Sequence, residues 1–128
     1  MLVLVDSSYY LRRLTRRLDP FDQIDALADD YEFAVCGTVW MEVLRGRSDP
    51  NIRERFDLRF STMLFLDMTA GAWQRTAALA WDLDRRGVVL PATDLTIAGC
   101  AITHDALVLT FDRHFHQIPG VAAVDHLV

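Results

Sequence analysis

The sequence predicts an α/β domain built on a mostly parallel sheet. Three observations point to it. Short, wholly apolar runs such as Leu2-Val3-Leu4-Val5 read as strands buried on both faces, as parallel sheets require. Segments with apolar residues at helical spacing alternate with these runs along the chain. No repeat, linker or low-complexity stretch interrupts that alternation. With 128 residues, 52% of them hydrophobic, the chain suits one domain over residues 1–128 with a sizeable core.

Each element follows from local chemistry. After the first strand, Ser7 or Ser8 can cap a helix running to about Leu18, which Asp19-Pro20 stops. Ile24, Leu27 and Ala28 share a helical face, predicting a second helix over Phe21 to Asp30. Glu32 to Cys36 reads as the second strand. Gly37-Thr38 opens a helix through Arg45 that Gly46 ends, and Asp49-Pro50 starts another over Asn51 to Thr62. Met63 to Met68 is a third strand, and Thr69 caps a long amphipathic helix to Arg86, closed by Gly87. Pro91 to His104 is a further helix, Ala106 to Thr110 a strand, and Val121 to Val124 a last short strand.

Composition narrows the function classes less than the patterning does. The net charge is −5, an unfavourable start for binding nucleic acid. All thirteen basic residues are arginine, the better bidentate partner for phosphate, and nine of them cluster in two runs. Arg12, Arg13, Arg16 and Arg17 form the first, and Arg45, Arg47, Arg53, Arg55 and Arg59 the second. Runs of this kind also serve as solvated helix faces. Cys36 and Cys100 lie far apart in apolar segments, which predicts buried thiols in a reducing compartment. Met1 to Val5 is too short for a signal sequence, and nothing approaches the roughly 20 apolar residues of a membrane span. The expected location is cytoplasmic.

Four acids stand where chemistry is expected. Asp6 follows directly on the first strand, and Asp112 comes two residues after the strand ending at Thr110. In parallel sheets, ligands collect at the carboxyl ends of strands. Glu42 shares a helical face with Val39 and sits one residue beyond the capping-box position of Thr38. Asp94 heads the apolar face formed by Ile97, Ala98 and Ala101. Asp6, Asp94 and Asp112 can each also act as ordinary helix-terminal carboxylates. Carboxylates packed together cannot all stay ionised in a vacant site, and a divalent cation resolves the conflict. All-oxygen ligation selects Mg²⁺ or Mn²⁺ over zinc.

Four segments together resemble the PIN-domain family, and more narrowly the VapC toxins. They are Val3-Leu4-Val5-Asp6-Ser7-Ser8, Trp40-Met41-Glu42-Val43-Leu44-Arg45-Gly46, Thr93-Asp94-Leu95-Thr96-Ile97-Ala98 and Leu109-Thr110-Phe111-Asp112-Arg113-His114-Phe115. The resemblance implies a three-layer sandwich with a central, mostly parallel sheet of four to five strands flanked by helices. It implies an acidic quartet of Asp6, Glu42, Asp94 and Asp112, with Asp6 and Asp94 holding Mg²⁺ or Mn²⁺ and the hydroxyls of Ser8 and Thr110 in support. The implied reaction is endonucleolytic hydrolysis of RNA. A small VapB-like antitoxin would cover the acidic cleft with a basic residue among the carboxylates, and homodimers are implied as well.

Arg45 and Arg47, just after the helix bearing Glu42, are the first candidates for gripping RNA, with Arg12, Arg13 and Arg16 next. His114 and His116 lack a third soft ligand nearby and are not read as a metal site. Asp112 would still bring His114 near the acids. Trp73 and Trp81 on the long helix have core or interface spacing, and Tyr9 and Tyr10 face either the core or a partner. Two rival enzymes fail on single positions. A haloacid-dehalogenase-type phosphatase needs an acid where Ser8 stands, and a phospho-receiver needs a lysine that the chain lacks. The remaining alternative is a PIN-like module that binds protein without catalysis.

Overall fold

Val3, Leu4 and Val5 have no exposed surface, because their strand lies in the middle of the sheet. The computed structural model describes all 128 residues, Met1–Val128. In chain order the elements are β1 (Leu2–Val5), α1 (Ser7–Thr15), α2 (Asp22–Ala26), β2 (Glu32–Val35), α3 (Gly37–Arg45) and α4 (Pro50–Thr62). There follow β3 (Leu64–Phe65), α5 (Ala70–Arg85), α6 (Ala92–His104), β4 (Leu107–Leu109), a 3₁₀ turn (Arg113–Gln117) and β5 (Ala123–Val124).

The five strands lie in the order β3-β2-β1-β4-β5, all parallel. Val3 stands opposite Phe33 on one side and Leu107 on the other. The chain thus builds outward from β1 through β2 to β3, then returns to pair β4 against the other side of β1. That reversal opens a crevice at the carboxyl ends of β1 and β4, where open α/β sheets hold their ligands. Helices complete the α/β sandwich, with α3 packed on α1, α4 and α6, and α5 packed on α6. No helix is long and apolar enough to cross a membrane.

Tyr10, Phe21, Phe56 and Phe60 form an aromatic cluster that fastens α1 and the start of α2 to α4, with ring centroids 5.3–5.7 Å apart for most pairs. Arg59 lies over the Phe21 ring at 4.2 Å and pairs with Asp25, while Arg55 pairs with Asp19. These two arginines of the second run are structural clasps. Tyr9 and Tyr10 are both core residues. Trp73 and Trp81 are half exposed, which excludes the core reading of their spacing.

Several boundaries differ from expectation. The side chain of Asp6, rather than Ser7 or Ser8, caps α1 by accepting from the Ser8 amide. α1 stops at Thr15 instead of Leu18, because Arg17 adopts a left-handed φ of 57° and the Leu18 amide bonds back to the Arg13 carbonyl. This is a Schellman ending without its usual glycine. α2 covers only five residues and has no side-chain cap. β3 is two residues long, and the rest of Met63 to Met68 is loop.

Gly99 sets how closely α5 and α6 approach. A Cβ there would overlap the hydroxyl of Thr76 and come within 2.9 Å of its Cβ, and Thr76 is itself held by a bond to the Ala72 carbonyl. Gly99→Ala is therefore expected to destabilise the protein by roughly 1–3 kcal/mol through overpacking. The measurement is the urea midpoint, and adding Thr76→Ala should recover part of the loss.

Candidate metal centre

The crevice at the switch point is lined by acids whose positions are set by hydrogen bonds within the chain. Asp6 leaves the end of β1 and is only 2% exposed. Its Oδ2 accepts the Ser8 hydroxyl at 2.6 Å, the Thr110 hydroxyl at 2.8 Å and the Ser8 amide at 3.3 Å. Each of those hydroxyls in turn accepts a backbone N–H from the segment leaving β4, Ser8 from Phe111 at 3.0 Å and Thr110 from Asp112 at 2.9 Å. Asp6 thereby ties β1, α1 and the exit of β4 together.

Glu42 comes from α3 and is half-buried. The Ser7 hydroxyl donates to its Oε1 at 3.0 Å and lies 3.4 Å from Asp6 Oδ1, so one serine links the two acids. Asp112 caps the 3₁₀ turn, its Oδ1 accepting the His114 amide at 2.9 Å. Asp94, in the first turn of α6 and 8% exposed, shares a hydrogen bond of 2.6 Å between its Oδ2 and His114 Nδ1. The same nitrogen lies 3.2 Å from Asp112 Oδ1.

Asp94, Asp112 and His114 present donor atoms that all lie within 4.8 Å of one another. Asp6 and Glu42 stand outside that group, joined to each other through Ser7. Each of the four acids has one oxygen engaged by a strong donor from the chain and a second oxygen without one. No arginine pairs with any of them. Burial pushes the Asp94 carboxyl up to about 6; the bond from His114 works against this, and the charges of Asp112 and Asp6 add to it. The His114 imidazole is also raised, chiefly by its bond to Asp94 and further by the charge of Asp112. Positioned, under-neutralised carboxylates with free oxygens fit a divalent cation.

Of the predicted supporting residues, Ser8 and Thr110 both lie on Asp6. Reading the sequence missed Ser7, although a Ser-Ser pair directly after a strand-end acid was the available signal. The predicted arginines do not gather in one place. Arg12 stacks on Phe111 at 4.4 Å and, with Arg113, lines a cleft of about 380 Å³ that also includes Thr110, Asp112 and His116. Arg13 donates to the Asp19 carbonyl and Arg47 to the Val43 carbonyl. Arg45 and Arg16 are exposed at the ends of α3 and α1. Cys36 and Cys100 are free and buried as expected, but the fold brings their thiols into contact.

A parallel α/β domain with acids converging at its switch point defines a recognisable class, and comparison with known proteins agrees. The PIN domain model matches residues 3–121, and the chain belongs to that family. Among solved structures, VapBC2 from Rickettsia felis, bound to a DNA fragment from its promoter, superposes with a TM-score of 0.81 at 20% identity, covering 97% of this chain and 98% of that one. VapBC-1 from nontypeable Haemophilus influenzae gives 0.79 at 16% identity, with 97% of each chain covered. A toxin-antitoxin complex from Klebsiella pneumoniae gives 0.72 at 22% identity, covering 98% of this chain and 99% of that one. No curated protein sequence matches.

Asp94 and His114 both hold their protons more tightly here than in an unfolded chain. For Asp94 the folded protein binds the extra proton between the ordinary value of 3.8 and about 6, so stability falls as pH rises through that window. The contribution of His114 is present below 6.5 and is lost at higher pH. Asp94→Asn should therefore raise the Tm of the metal-free protein at pH 8 by roughly 5 °C, with a smaller gain at pH 5. An unchanged Tm at pH 8 would contradict this account of the site.

Proposed function

We propose that residues 1–128 form a VapC-like toxin domain, a Mg²⁺- or Mn²⁺-dependent endoribonuclease held in check by an antitoxin. The observation that carries this reading is the set of four acids at the switch point of a PIN domain, each with one oxygen firmly held and the other without a strong donor. A module that only bound protein would gain nothing from keeping a buried Asp94 with a carboxyl raised to about 6.

In this reading Asp94 and Asp112 would hold the ion together with Asp6, whose Oδ2 is taken up by hydroxyl and amide donors. When bound, such an ion would supply Lewis acidity toward water and toward a phosphate oxygen. Glu42, steadied by Ser7 through one oxygen, uses the other to orient a water and accept its proton. Attack at phosphorus forms the new P–O bond and breaks the bond to the 3′ oxygen, which takes a proton from solvent. The products are a 5′-phosphate and a 3′-hydroxyl.

The acids repel RNA, so the grip must come from cations beside them. Arg12 and Arg113 qualify by sharing a cleft with Thr110 and Asp112. Arg45 and Arg16 are free for longer-range attraction, whereas Arg13 and Arg47 are engaged with backbone carbonyls. The likeness to a toxin-antitoxin complex supports an antitoxin as the partner.

Purified protein incubated with total RNA should cleave it with Mg²⁺ or Mn²⁺ and not with EDTA. Asp6→Asn and Asp94→Asn should each reduce cleavage more than about a hundredfold while the protein stays folded. Metal binding without cleavage of any RNA would favour the binding module instead. Arg12→Ala and Arg113→Ala should each weaken RNA binding and lower the slope of log K against log salt by about one; an unchanged slope would remove them from the RNA path.

A further inference from the structure

Beside the carboxylates of Asp94 and Asp112 stands an imidazole, that of His114. We propose that His114 is itself a ligand to the ion through Nδ1, turning an all-oxygen site into a mixed nitrogen–oxygen site that selects Mn²⁺ over Mg²⁺. This inference rests on the metal-site reading above and departs from the all-oxygen set expected from the sequence.

Geometry carries it. His114 Nδ1 lies 2.6 Å from Asp94 Oδ2 and 3.2 Å from Asp112 Oδ1, and all three donors fall within 4.8 Å of one another. Neighbouring ligands on an ion with bonds of about 2.1 Å stand about 3 Å apart. The imidazole therefore stands within ligand reach of both carboxylates, and an ion would take the place of the proton now shared between Nδ1 and Asp94 Oδ2. It is held there by more than attraction. The His114 amide is bonded to Asp112 Oδ1, and the next residue, Phe115, is completely buried and anchors the 3₁₀ turn in the core.

The other ring nitrogen completes the case. His114 Nε2 has no partner within the protein, and the side chain is 41% exposed, so Nε2 can carry the ring proton toward solvent while Nδ1 donates its lone pair. His116 cannot substitute, because it is exposed and lines the cleft with Arg12 and Arg113. The H-x-H pair thus divides its roles, one ring on the acids and one in the cleft. Mg²⁺ takes oxygen ligands and gives up its waters reluctantly. Imidazole suits first-row transition ions rather than Mg²⁺, and Mn²⁺ is the one of these that carboxylates also suit, so a nitrogen donor beside two carboxylates shifts the balance from Mg²⁺ toward Mn²⁺.

The test is pulsed electron paramagnetic resonance on the full chain loaded with Mn²⁺, together with calorimetric titration by Mn²⁺ and by Mg²⁺. The wild-type spectrum should show modulation from a directly bonded ¹⁴N, and labelling with ¹⁵N-histidine should replace it with the ¹⁵N pattern. His114→Gln should abolish the nitrogen signal and lower the Mn²⁺-to-Mg²⁺ affinity ratio about tenfold or more. Mn²⁺ bound in the wild type without nitrogen modulation would overturn the inference and leave the carboxylate site standing. A nitrogen signal that persists in His114→Gln would overturn it too. Absence of Mn²⁺ binding in the wild type would overturn the metal-site reading and this inference with it. The labelled wild-type spectrum decides the matter even if the variant fails to fold.

Discussion

Three donors converge on one oxygen of Asp6, and the geometry of the crevice depends on them. Two are hydroxyls, from Ser8 at the start of α1 and Thr110 at the end of β4, and the third is the amide of Ser8. Because Ser8 and Thr110 also accept the amides of Phe111 and Asp112, the same hydroxyls that fix Asp6 fix the path on which Asp112 and His114 are carried. Hydrogen bonds from these three donors offset the burial of the carboxylate, and no arginine pairs with it. That leaves the negative charge of the crevice available to something that comes from outside the chain.

The opposite sign is distributed with equal economy. Of the arginines in the second run, Arg55 and Arg59 are spent on Asp19 and Asp25, closing α4 onto the segment after α1 and covering the Phe21 ring. Exposed pairs of this kind contribute little individually, but here they sit on an aromatic cluster that already joins the same elements. Arg12 instead lies flat on Phe111, its charge turned to a cleft that borders the acids. Within an overall charge of −5, Arg12 and Arg113 thus stand beside Asp112 and Asp125 in one cleft.

Much of this was legible in the sequence because parallel sheets put strong constraints on residue type. The apolar run Leu2–Val5 and the acid directly after it announced both the central strand and its functional end. Glu42 and Asp94 stood out because carboxylates on apolar helix faces need a reason to be there. Three things were not legible. Arg17 ends α1 in a left-handed conformation that the sequence marks only with a charged residue, where glycine would have been a signal. β3 has two residues, too few for periodicity to define. His114 looked like half of an incomplete H-x-H motif, because the acids that complete its surroundings come from α6 and from two residues upstream, and only the fold brings them together.

The bond between Thr110 and Asp6 spans 104 positions of the chain. β1 is made well before its neighbour β4 and before the hydroxyl that steadies Asp6. Contacts of such separation form only when the intervening chain has been made and has collapsed. A ribosome still holding the segment from Leu107 to His114 therefore displays a polypeptide with helices and half a sheet but no assembled centre. For a protein whose proposed activity destroys RNA, the topology itself delays competence until the segment through His114 has been made and has left the ribosome.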